Sequence, residues 1–185
     1  MKIRKFSFKN VNSTNDIAIR IIKNTKTKFG IIVADKQKKG RGQHGKKWIS
    51  YRGNLFLSIF YSLERINLTL RQLTKINCLL IKKILSRYYK NRISIKPPND
   101  ILINKKKICG ILQETLIKAS TTYIVVGIGI NLIKSPNINN YPTTNLEELT
   151  KKNVNKKKIV LEIKTIYENF ISKFSRFNLK TIKNL

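Results

Sequence analysis

The chain has 185 residues, 41% of them hydrophobic, which suffices for the core of one domain but not of two full ones. Lys and Arg number 39 against 9 acidic residues, a formal net charge of +30 that would attract any polyanion, including nucleic acid. With only one histidine, the chain has almost nothing from which to build a His-based metal site or a Ser-His-Asp triad.

The first half of the chain predicts three strands and two helices. Alternating or continuous apolar residues predict the strands, and apolar residues at helical spacing predict the helices. In chain order these are a strand over 3–8, a helix after the capping residues Ser13 and Thr14, strands over 30–35 and 54–63, and a helix over 70–88. Residues 36–47 form a polar, glycine-bearing loop that is too long for a tight hairpin, and such loops in compact domains are usually functional or mobile.

The second half predicts consecutive strands followed by a helix. The strands cover 92–96, 100–104, 107–116 and 121–133, and short turns join them. From Ile159 onward, apolar residues recur at helical spacing and predict an amphipathic helix. No internal repeat or linker divides the sequence. We therefore expect a single α+β domain over 1–185, with a mixed, largely antiparallel β-sheet and helices mainly on one face.

The loop sequence "GRGQHGKKW", residues 40–48, comes within one residue of a nucleotide-binding P-loop. A P-loop needs Ser or Thr after its lysine as a Mg²⁺ ligand, and it needs a helix that begins there. Here Lys47 follows Lys46, and the residues beyond it predict a turn and a strand. The P-loop is therefore excluded, although three glycines, three cations and the only Trp still suit an anionic, planar ligand.

The two cysteines, Cys78 and Cys109, lie among apolar neighbours at no metal-like spacing. Buried free thiols in a reducing cytoplasm are the expected state. No apolar run reaches the roughly 18 residues of a membrane span, and the N-terminus lacks a secretion signal. We therefore expect a cytoplasmic protein that does not bind membranes.

Four segments place unusual polar residues in loops or at strand ends: "STN" (13–15), "QKKGRGQHGKKW" (37–48), "KPPND" (96–100) and "GIGIN" (127–131). Each alone has an ordinary structural explanation, such as a helix cap or a turn. Together with "KICGIL" (107–112), and in this order, they resemble the catalytic domain of biotin protein ligases. That family shows S-T-N, G-R-G-x-x-G-R-x-W, K-W-P-N-D, K-x-x-G-I-L and G-x-G-x-N at comparable intervals.

The resemblance implies an ATP-dependent ligase that joins biotin to AMP and passes it to one lysine of a carboxylase carrier domain. Biotin and ATP would be substrates, Mg²⁺ would accompany ATP, and no dedicated protein site for a metal is visible in the sequence. The carrier domain would be the protein partner. No specific nucleic acid is expected, and the oligomeric state, monomer or homodimer, stays open.

The motifs also imply residue roles. Arg41 and Lys96 would be catalytic, since a planar guanidinium fork and a strand-end ammonium stabilise the charges of two anionic reactants. The residues implied for biotin are Ser13, Thr14, Asn15, Gln37, Arg41, Gly42, Gln43, Lys96 and Gly110. Those implied for ATP are Gly40, Arg41, Gly45, Lys46, Trp48, Asn99 and Asn131, with the Trp48 ring against the purine.

The sequence departs from the family pattern at three places. Gln43 and His44 stand where basic residues are usual, Pro97 replaces the tryptophan of K-W-P-N-D, and Cys109 replaces a small residue. We expect weaker retention of the adenylate and weaker biotin affinity. The sequence also shows no helix-turn-helix before the catalytic motifs and no small β-barrel after them, so a repressor role is not expected.

Three alternatives remain. A lipoate ligase or octanoyltransferase would share the fold, but the R-R-x-S-G-G-G motif of lipoate ligases does not occur here. A basic nucleic-acid-binding protein would gather its cations and aromatics on one face, whereas here the cations are spread along the chain, as in an AT-rich coding sequence. A decayed ligase would keep the fold with little activity, and the retained Arg41, Lys96 and Asn131 argue against it.

Overall fold

In a computed structural model that describes residues 2–64 and 66–176, the chain forms seven strands and four helices. The strands are β1 (Arg4–Val11), β2 (Phe29–Gln37), β3 (Leu55–Ser62), β4 (Ile93–Lys96), β5 (Asp100–Ile103), β6 (Lys106–Lys118) and β7 (Thr121–Ile130). The helices are α1 (Thr14–Asn24), α2 (Leu70–Tyr88), α3 (Leu146–Thr150) and α4 (Lys156–Arg176). Every predicted strand and helix is therefore confirmed, and the short helix α3 was not predicted.

All seven strands belong to one sheet in the order β1-β2-β3-β7-β6-β5-β4. Only β1 and β2 pair in parallel, because α1 carries the chain back between them. The other pairs are antiparallel. Asn104 and Lys105 take positive φ angles of 49° and 64°, which makes the tight turn between β5 and β6. The prediction of a mixed, largely antiparallel sheet is confirmed.

The two faces of the sheet carry unequal cores because side chains alternate along each strand. On β3, Leu57, Ile59 and Tyr61 join the larger core, which α2 and α4 cover. Phe60 points to the opposite face and joins a smaller core with Ala18 and Ile22 of α1. The helices thus lie mainly on one face, as predicted, and the shorter cover by α1 leaves the other face partly open.

Helix α2 spans the predicted residues because both its start and its inward face are well specified. Thr69 and Gln72 form a reciprocal capping box, which satisfies two backbone N–H groups at its N-terminus. Further along, the buried Asn77 accepts a hydrogen bond from Tyr167 Oη of α4 at 2.9 Å. This bond joins α2 to α4, and a second one, from Tyr88 Oη to Glu162 at 3.1 Å, joins them further along.

Asn54 holds the segment that follows β7. Its buried side chain accepts hydrogen bonds from the backbone N–H groups of Leu132, Ile133 and Lys134 at 2.9, 3.0 and 3.2 Å. Its amide nitrogen also donates to the Lys134 carbonyl at 2.6 Å. Residues 132–134 are thereby anchored beside β3.

The two cysteines are buried free thiols, as predicted. Burial raises the pKa of Cys78 to about 11 and that of Cys109 well above its ordinary value, so both stay protonated at neutral pH. Within residues 2–64 and 66–176, no helix combines the length and the apolar character needed to cross a bilayer.

Candidate functional site

A cavity of about 910 Å³ opens on the sheet face that carries α1. Its walls come from the N-terminus of α1, the loop after β2, the β4–β5 connection, the middle of β6 and β7, and residues 136–143. The chain thus brings all five sequence motifs to one place. Among the residues implied by those motifs, only Gly40 and Gly45 do not line the cavity.

One end of the cavity is built from hydroxyl and amide groups. Thr14 donates from both its backbone N–H and its hydroxyl to Gln37 Oε1, at 2.9 and 3.1 Å. The Ser58 hydroxyl lies 2.7 Å from Thr14 Oγ1 and donates to Asn15 Oδ1 at 2.5 Å. We call this group, with Ser13, the hydroxyl-amide end. Its side chains are buried or nearly so and already hold one another in place.

Ser58 was missed by the sequence analysis, although it is a lone polar residue inside the apolar strand β3. It is fully buried, and its strand partner on β7 is Gly127. A Cβ at Gly127 would lie 2.5 Å from Asn15 Oδ1, so only glycine leaves room for the Asn15 side chain. The sequence signal for Ser58 was a single serine at a position of β3 where the alternation of the strand predicts a buried side chain.

The loop after β2 folds back on itself beside this end. Gly42 N–H donates to the Lys46 carbonyl at 2.6 Å, and Trp48 N–H donates to the Gly40 carbonyl at 2.9 Å. A 3₁₀ turn over Gln43–Gly45 forms the tip. Gly40 is buried at the base of the loop, where a Cβ would meet the Trp48 carbonyl at 2.7 Å. Gly40 therefore shapes the loop instead of contacting the cavity.

Gly45 lies at the exposed tip of the loop with a φ of +72°, and a Cβ there would touch nothing within 4 Å. Its preceding residue, His44, also takes a left-handed φ of 52°. Glycine at 45 thus serves the turn, because a side chain there would be strained. Neither this glycine nor Gly40 has the placement at the cavity that the motif implied.

Arg41 is held by two carboxylates. Its Nη1 lies 2.5 Å from Asp16 Oδ1, and its Nη2 lies 3.0 and 3.1 Å from the two oxygens of Glu114. Partial burial alone would lower the pKa of Arg41, but the hydrogen bonds and charges of Asp16 and Glu114 outweigh it and raise the pKa. Asn15 Nδ2 also donates to Glu114 Oε2 at 2.5 Å, which links the pair to the hydroxyl-amide end.

The opposite end of the cavity is formed by an indole ring and lysines. The Trp48 ring lies over a cross-strand pair of glycines, Gly110 on β6 and Gly129 on β7. A Cβ at Gly129 would lie 2.4 Å from Trp48 Cε2, and one at Gly110 would lie 2.7 Å from Trp48 Cζ3. Both positions therefore need glycine for the ring to lie against the sheet.

Lys107 and Asp100 form a half-buried ion pair beside the indole. Lys107 Nζ lies 2.8 Å from Asp100 Oδ1, with the two side chains only 20% and 15% exposed. Tyr141 Oη donates to the other Asp100 oxygen at 2.6 Å. Burial, and then the hydrogen bond and charge of Asp100, raise the pKa of Tyr141. None of these three residues was assigned a role from the sequence.

Lys96, predicted as catalytic, is exposed, and its Nζ lies 4.2 Å from the centre of the Tyr141 ring. Lys107 Nζ lies 5.3 Å from the same ring and 5.4 Å from the Trp48 ring. We call Trp48, Lys96, Asp100, Lys107, Asn131 and Tyr141 the lysine end.

Among the residues that the structure describes, two buried polar atoms at the lysine end have neither a hydrogen-bond nor an ion-pair partner, while a third, Asp100 Oδ1, is met only by the Lys107 ammonium. Within the described part of the chain, Trp48 Nε1 and Asn131 Oδ1 are buried without a hydrogen-bond partner. Asn131 Nδ2 is used, since it donates to the Thr144 carbonyl at 3.2 Å. Asn99 lines the cavity, but its amide donates to the Ile111 carbonyl at 2.7 Å and so braces the wall. The lysine end therefore contains one donor and one acceptor that no described protein group satisfies.

The charged side chains that line the cavity are mainly cationic, namely Arg41, Lys46, Lys47, Lys96 and Lys107. Asp100 is the only carboxylate among the described residues that line it. Among the described residues, no group of three or more His, Cys, Asp or Glu side chains could hold a metal ion.

Comparison with known proteins agrees with this geometry. Residues 7–131 match the model of the biotin/lipoate A/B protein ligase family. The chain is 32% identical over 124 residues to the bifunctional ligase/repressor BirA of Escherichia coli (strain K12), covering 66% of this chain and 38% of that protein. It is 33% identical over 129 residues to the BirA of Bacillus subtilis (strain 168), covering 69% of this chain and 40% of that protein.

The fold is also similar to a solved structure, the biotin protein ligase from Aquifex aeolicus in complex with biotin and ATP. The two structures superpose with a TM-score of 0.78 at 29% sequence identity, over 94% of this chain and 72% of the other. The chain spans about two fifths of the length of the curated relatives it matches.

Proposed function

The chain belongs to the biotin/lipoate A/B protein ligase family, and we propose that it activates biotin with ATP and transfers it to a lysine of a carboxylase carrier domain. The observation that carries this proposal is the two-ended cavity. A neutral end of hydroxyl and amide groups and a cationic end with an indole ring and two unsatisfied polar atoms line a single space. A carboxylic acid with a polar head group and a nucleotide would meet there.

The hydroxyl-amide end suits the ureido head of biotin. A ureido group offers two N–H donors and one carbonyl acceptor, and hydroxyl and amide side chains can match both kinds of group. Thr14, Asn15, Gln37 and Ser58 carry such groups without a net charge. Because these side chains already fix one another, little ordering would be needed when the head group binds.

The lysine end suits the adenine and the phosphates of ATP. The Trp48 ring offers a face to the purine, its Nε1–H offers a donor, and Asn131 Oδ1 offers an acceptor for an exocyclic amine. Lys107, with Lys96 and Lys46 further out, would face the phosphates. Mg²⁺ would enter as the complex with ATP, held mainly by phosphate oxygens and water.

In the first step, a carboxylate oxygen of biotin would attack the α-phosphorus, and the bond to the bridging oxygen of pyrophosphate would break. The products are biotinyl-5'-AMP and pyrophosphate. Both reactants are anions, so fixed cations are needed to bring them together and to stabilise the charge that moves to the leaving group. Lys107 is the best placed of these, because Asp100 and Tyr141 hold its chain at the cavity wall.

In the second step, the neutral ε-amine of the carrier lysine would attack the acyl carbon, AMP would leave, and an amide would form. Charge on the acyl oxygen during this step would be stabilised by the same lysines. The acceptor would be a biotin carboxyl carrier domain, and a reducing cytoplasm would suit the two buried free thiols. We propose no specific nucleic-acid partner.

The test is pyrophosphate release by the purified chain with Mg·ATP, with and without biotin, followed by transfer of labelled biotin to a carrier domain. We expect release and transfer only when biotin is present. Lipoate in place of biotin is the control for the related substrate. Equal pyrophosphate release with lipoate, or none with biotin, would refute the proposed function.

A further inference from the structure

Both terminal nitrogens of Arg41 are paired with carboxylates. Nη1 is taken by Asp16, and Nη2 is taken by both oxygens of Glu114. The sequence motif implied that this guanidinium would hold phosphate or carboxylate of the reactants. A guanidinium that is already paired on two sides is instead arranged to fasten its own loop.

We propose that Asp16 and Glu114 are positioning residues, which clamp Arg41 and thereby hold the loop over residues 38–48 in its folded form against the cavity. This inference rests on the proposed function and deepens it. The clamp joins three separate elements: Asp16 lies in the first turn of α1, Glu114 lies on β6, and Arg41 lies in the loop after β2.

The clamp governs the part of the loop that lines the cavity. Arg41 forms an isolated bridge with Lys47, next to the Gly42–Lys46 hydrogen bond. Fastening Arg41 therefore fixes both strands of this small turn and, one residue further, Trp48. The indole ring then lies over the two glycines of the sheet, with its N–H buried and, among the described residues, without a hydrogen-bond partner.

The positive charge of Arg41 accounts for the presence of two carboxylates beside this cavity. The chain has only 9 acidic residues, and a site for two anionic substrates is an unfavourable place for any of them. Asp16 and Glu114 both pair with Arg41, whose single positive charge offsets one of their two negative charges. Their best use in such a site is to orient this cation.

The clamp is also joined to the hydroxyl-amide end. Asn15 Nδ2 and Arg41 Nη2 both donate to Glu114 Oε2, at 2.5 and 3.0 Å. A ligand that orders Asn15 would therefore order Glu114 and, through it, the loop. Binding of the head group and folding of the loop would then reinforce each other.

The clamp is half exposed, which limits what it does. The side chains of Arg41, Asp16 and Glu114 are 39%, 45% and 31% exposed, and such pairs contribute little to the stability of a whole domain. Opening of a surface loop is a separate and much easier step than global unfolding. We therefore expect the clamp to change loop opening and ligand release while the melting temperature stays nearly constant.

The experiment compares Asp16→Asn, Glu114→Gln, the double variant of both, Arg41→Gln, and the triple variant. The first measurement is hydrogen exchange of the Gly42, Lys46 and Trp48 amides in the ligand-free protein. The second is the rate at which preformed biotinyl-AMP leaves the protein. Glu64→Gln, which removes a carboxylate paired with Lys28 away from the cavity, is the matched control.

We expect each carboxylate variant to speed exchange and release about 3- to 10-fold, on the scale of the net contribution of one ordinary hydrogen bond, because the pairs are partly exposed. Arg41→Gln should resemble the double variant, and the triple variant should be no worse, because all three changes remove the same clamp. Glu64→Gln should leave both rates unchanged.

Two results would overturn the clamp. One is unchanged exchange of the loop amides in the double variant. The other is that the effects of the single variants add up in the triple variant, and that Arg41→Gln lowers the rate of adenylate formation about 100-fold while the carboxylate variants do not. That result would make Arg41 a ligand of the reacting anions. The hydrogen-exchange measurement does not depend on enzymatic activity. If the protein forms no biotinyl-AMP, the proposed function is refuted, but the exchange rates still show whether Asp16 and Glu114 hold the loop.

Discussion

The two ends of the cavity differ in how far their polar groups are satisfied before any ligand arrives. At the hydroxyl-amide end, Thr14, Asn15, Gln37 and Ser58 bind one another at distances of 2.5 to 3.1 Å. At the lysine end, Trp48 Nε1 and Asn131 Oδ1 are buried and open. The first end is a finished network, and the second is incomplete without a partner.

This difference indicates two ways of binding. A network whose members already bind one another recognises a ligand by shape and by its remaining hydrogen-bond donors and acceptors. Because its members hold one another in place, removing one of them disturbs the others. An incomplete end gains a hydrogen bond for each open atom that the ligand meets, and its members act more independently. Mutations at the two ends should therefore differ in size, and each should affect a different substrate.

The largest effect is expected at the lysine end, from Lys107→Ala. The substitution removes a positioned cation and leaves Asp100 as an uncompensated half-buried negative charge beside the phosphates. Loss of one such group typically costs about 10²–10³ in rate. We expect a loss of that size in biotin-dependent pyrophosphate release, with the fold retained in circular dichroism and thermal melting.

Two neighbouring lysines make the comparison sharp. Lys106→Ala removes an exposed lysine from the same strand outside the cavity, so its rate should stay near that of the unmodified protein. Lys96→Ala should lose less than Lys107→Ala, because the Lys96 ammonium is exposed and contacts only the Tyr141 ring face among the contacts described. A larger loss for Lys96→Ala would restore the role that the motif implied for it.

The sequence could not single out Lys107. It is the last of three consecutive lysines, 105–107, and nothing in their order says which one points into a cavity. The register of β6 against β5 also shifts between Ile101 and Leu102, so counting along the strand would not pair Lys107 with Asp100. Tyr141 was beyond sequence reasoning as well, because residues 131–145 have no periodicity that would predict their path.

The second effect is expected at the hydroxyl-amide end, from Ser58→Ala. The change leaves Asn15 Oδ1 without its donor in a buried place, which costs about 1–3 kcal/mol. We expect the KM for biotin to rise about 5- to 150-fold and the KM for ATP to rise by a smaller factor, because Asn15 reaches the loop only through Glu114 and Arg41. Ser62→Ala, on the same strand but away from the cavity, is the matched control. An equal rise in both KM values would mean that Ser58 does not act mainly on the biotin end.

Sequence reasoning worked best where a pattern reports directly on burial. The four strands β4 to β7 and the helix α2 followed from alternation and helical spacing, because apolar side chains must face the core. The motif residues at the cavity followed from the family resemblance. Partners across the sheet, such as Ser58 beneath Asn15, did not, because pairing depends on a register that the sequence alone does not state.

The third effect concerns the loop that borders both ends, through Gln43→Arg. Gln43 lines the cavity as a neutral amide where the family usually has a basic residue. Charge-assisted hydrogen bonds to phosphate are roughly twice as strong as neutral ones, so the substitution should improve retention of biotinyl-AMP by about 5- to 30-fold, or ~1–2 kcal/mol.

The measurement for Gln43→Arg is biotin attached to bystander lysines of an unrelated lysine-rich protein. We expect less labelling with the variant than with the unmodified chain. Negligible labelling by both would mean that the neutral loop already closes well, as a strong Arg41 clamp would allow.

The smallest effect is expected from Trp48→Phe. This variant tests whether Trp48 Nε1 contributes to ATP binding independently of Asn131 Oδ1. Phenylalanine keeps an aromatic face over Gly110 and Gly129 but removes the indole N–H. One neutral hydrogen bond contributes about 0.5–1.5 kcal/mol, so the KM for ATP should rise about 2- to 12-fold with the KM for biotin unchanged. The lost ring area leaves a small gap, which should lower the melting temperature slightly.

An analogue of ATP can separate the loss of the indole hydrogen bond from the loss of ring packing in Trp48→Phe. If Trp48 Nε1 donates to a purine ring nitrogen, an ATP analogue with carbon at that position should bind the unmodified protein more weakly and the Phe variant equally well. An unchanged preference in both proteins would assign the open N–H to another acceptor, such as a ribose or phosphate oxygen. Asn131 Oδ1 would then be the one open atom that reads the base, and the lysine end would select nucleotides mainly by stacking and charge.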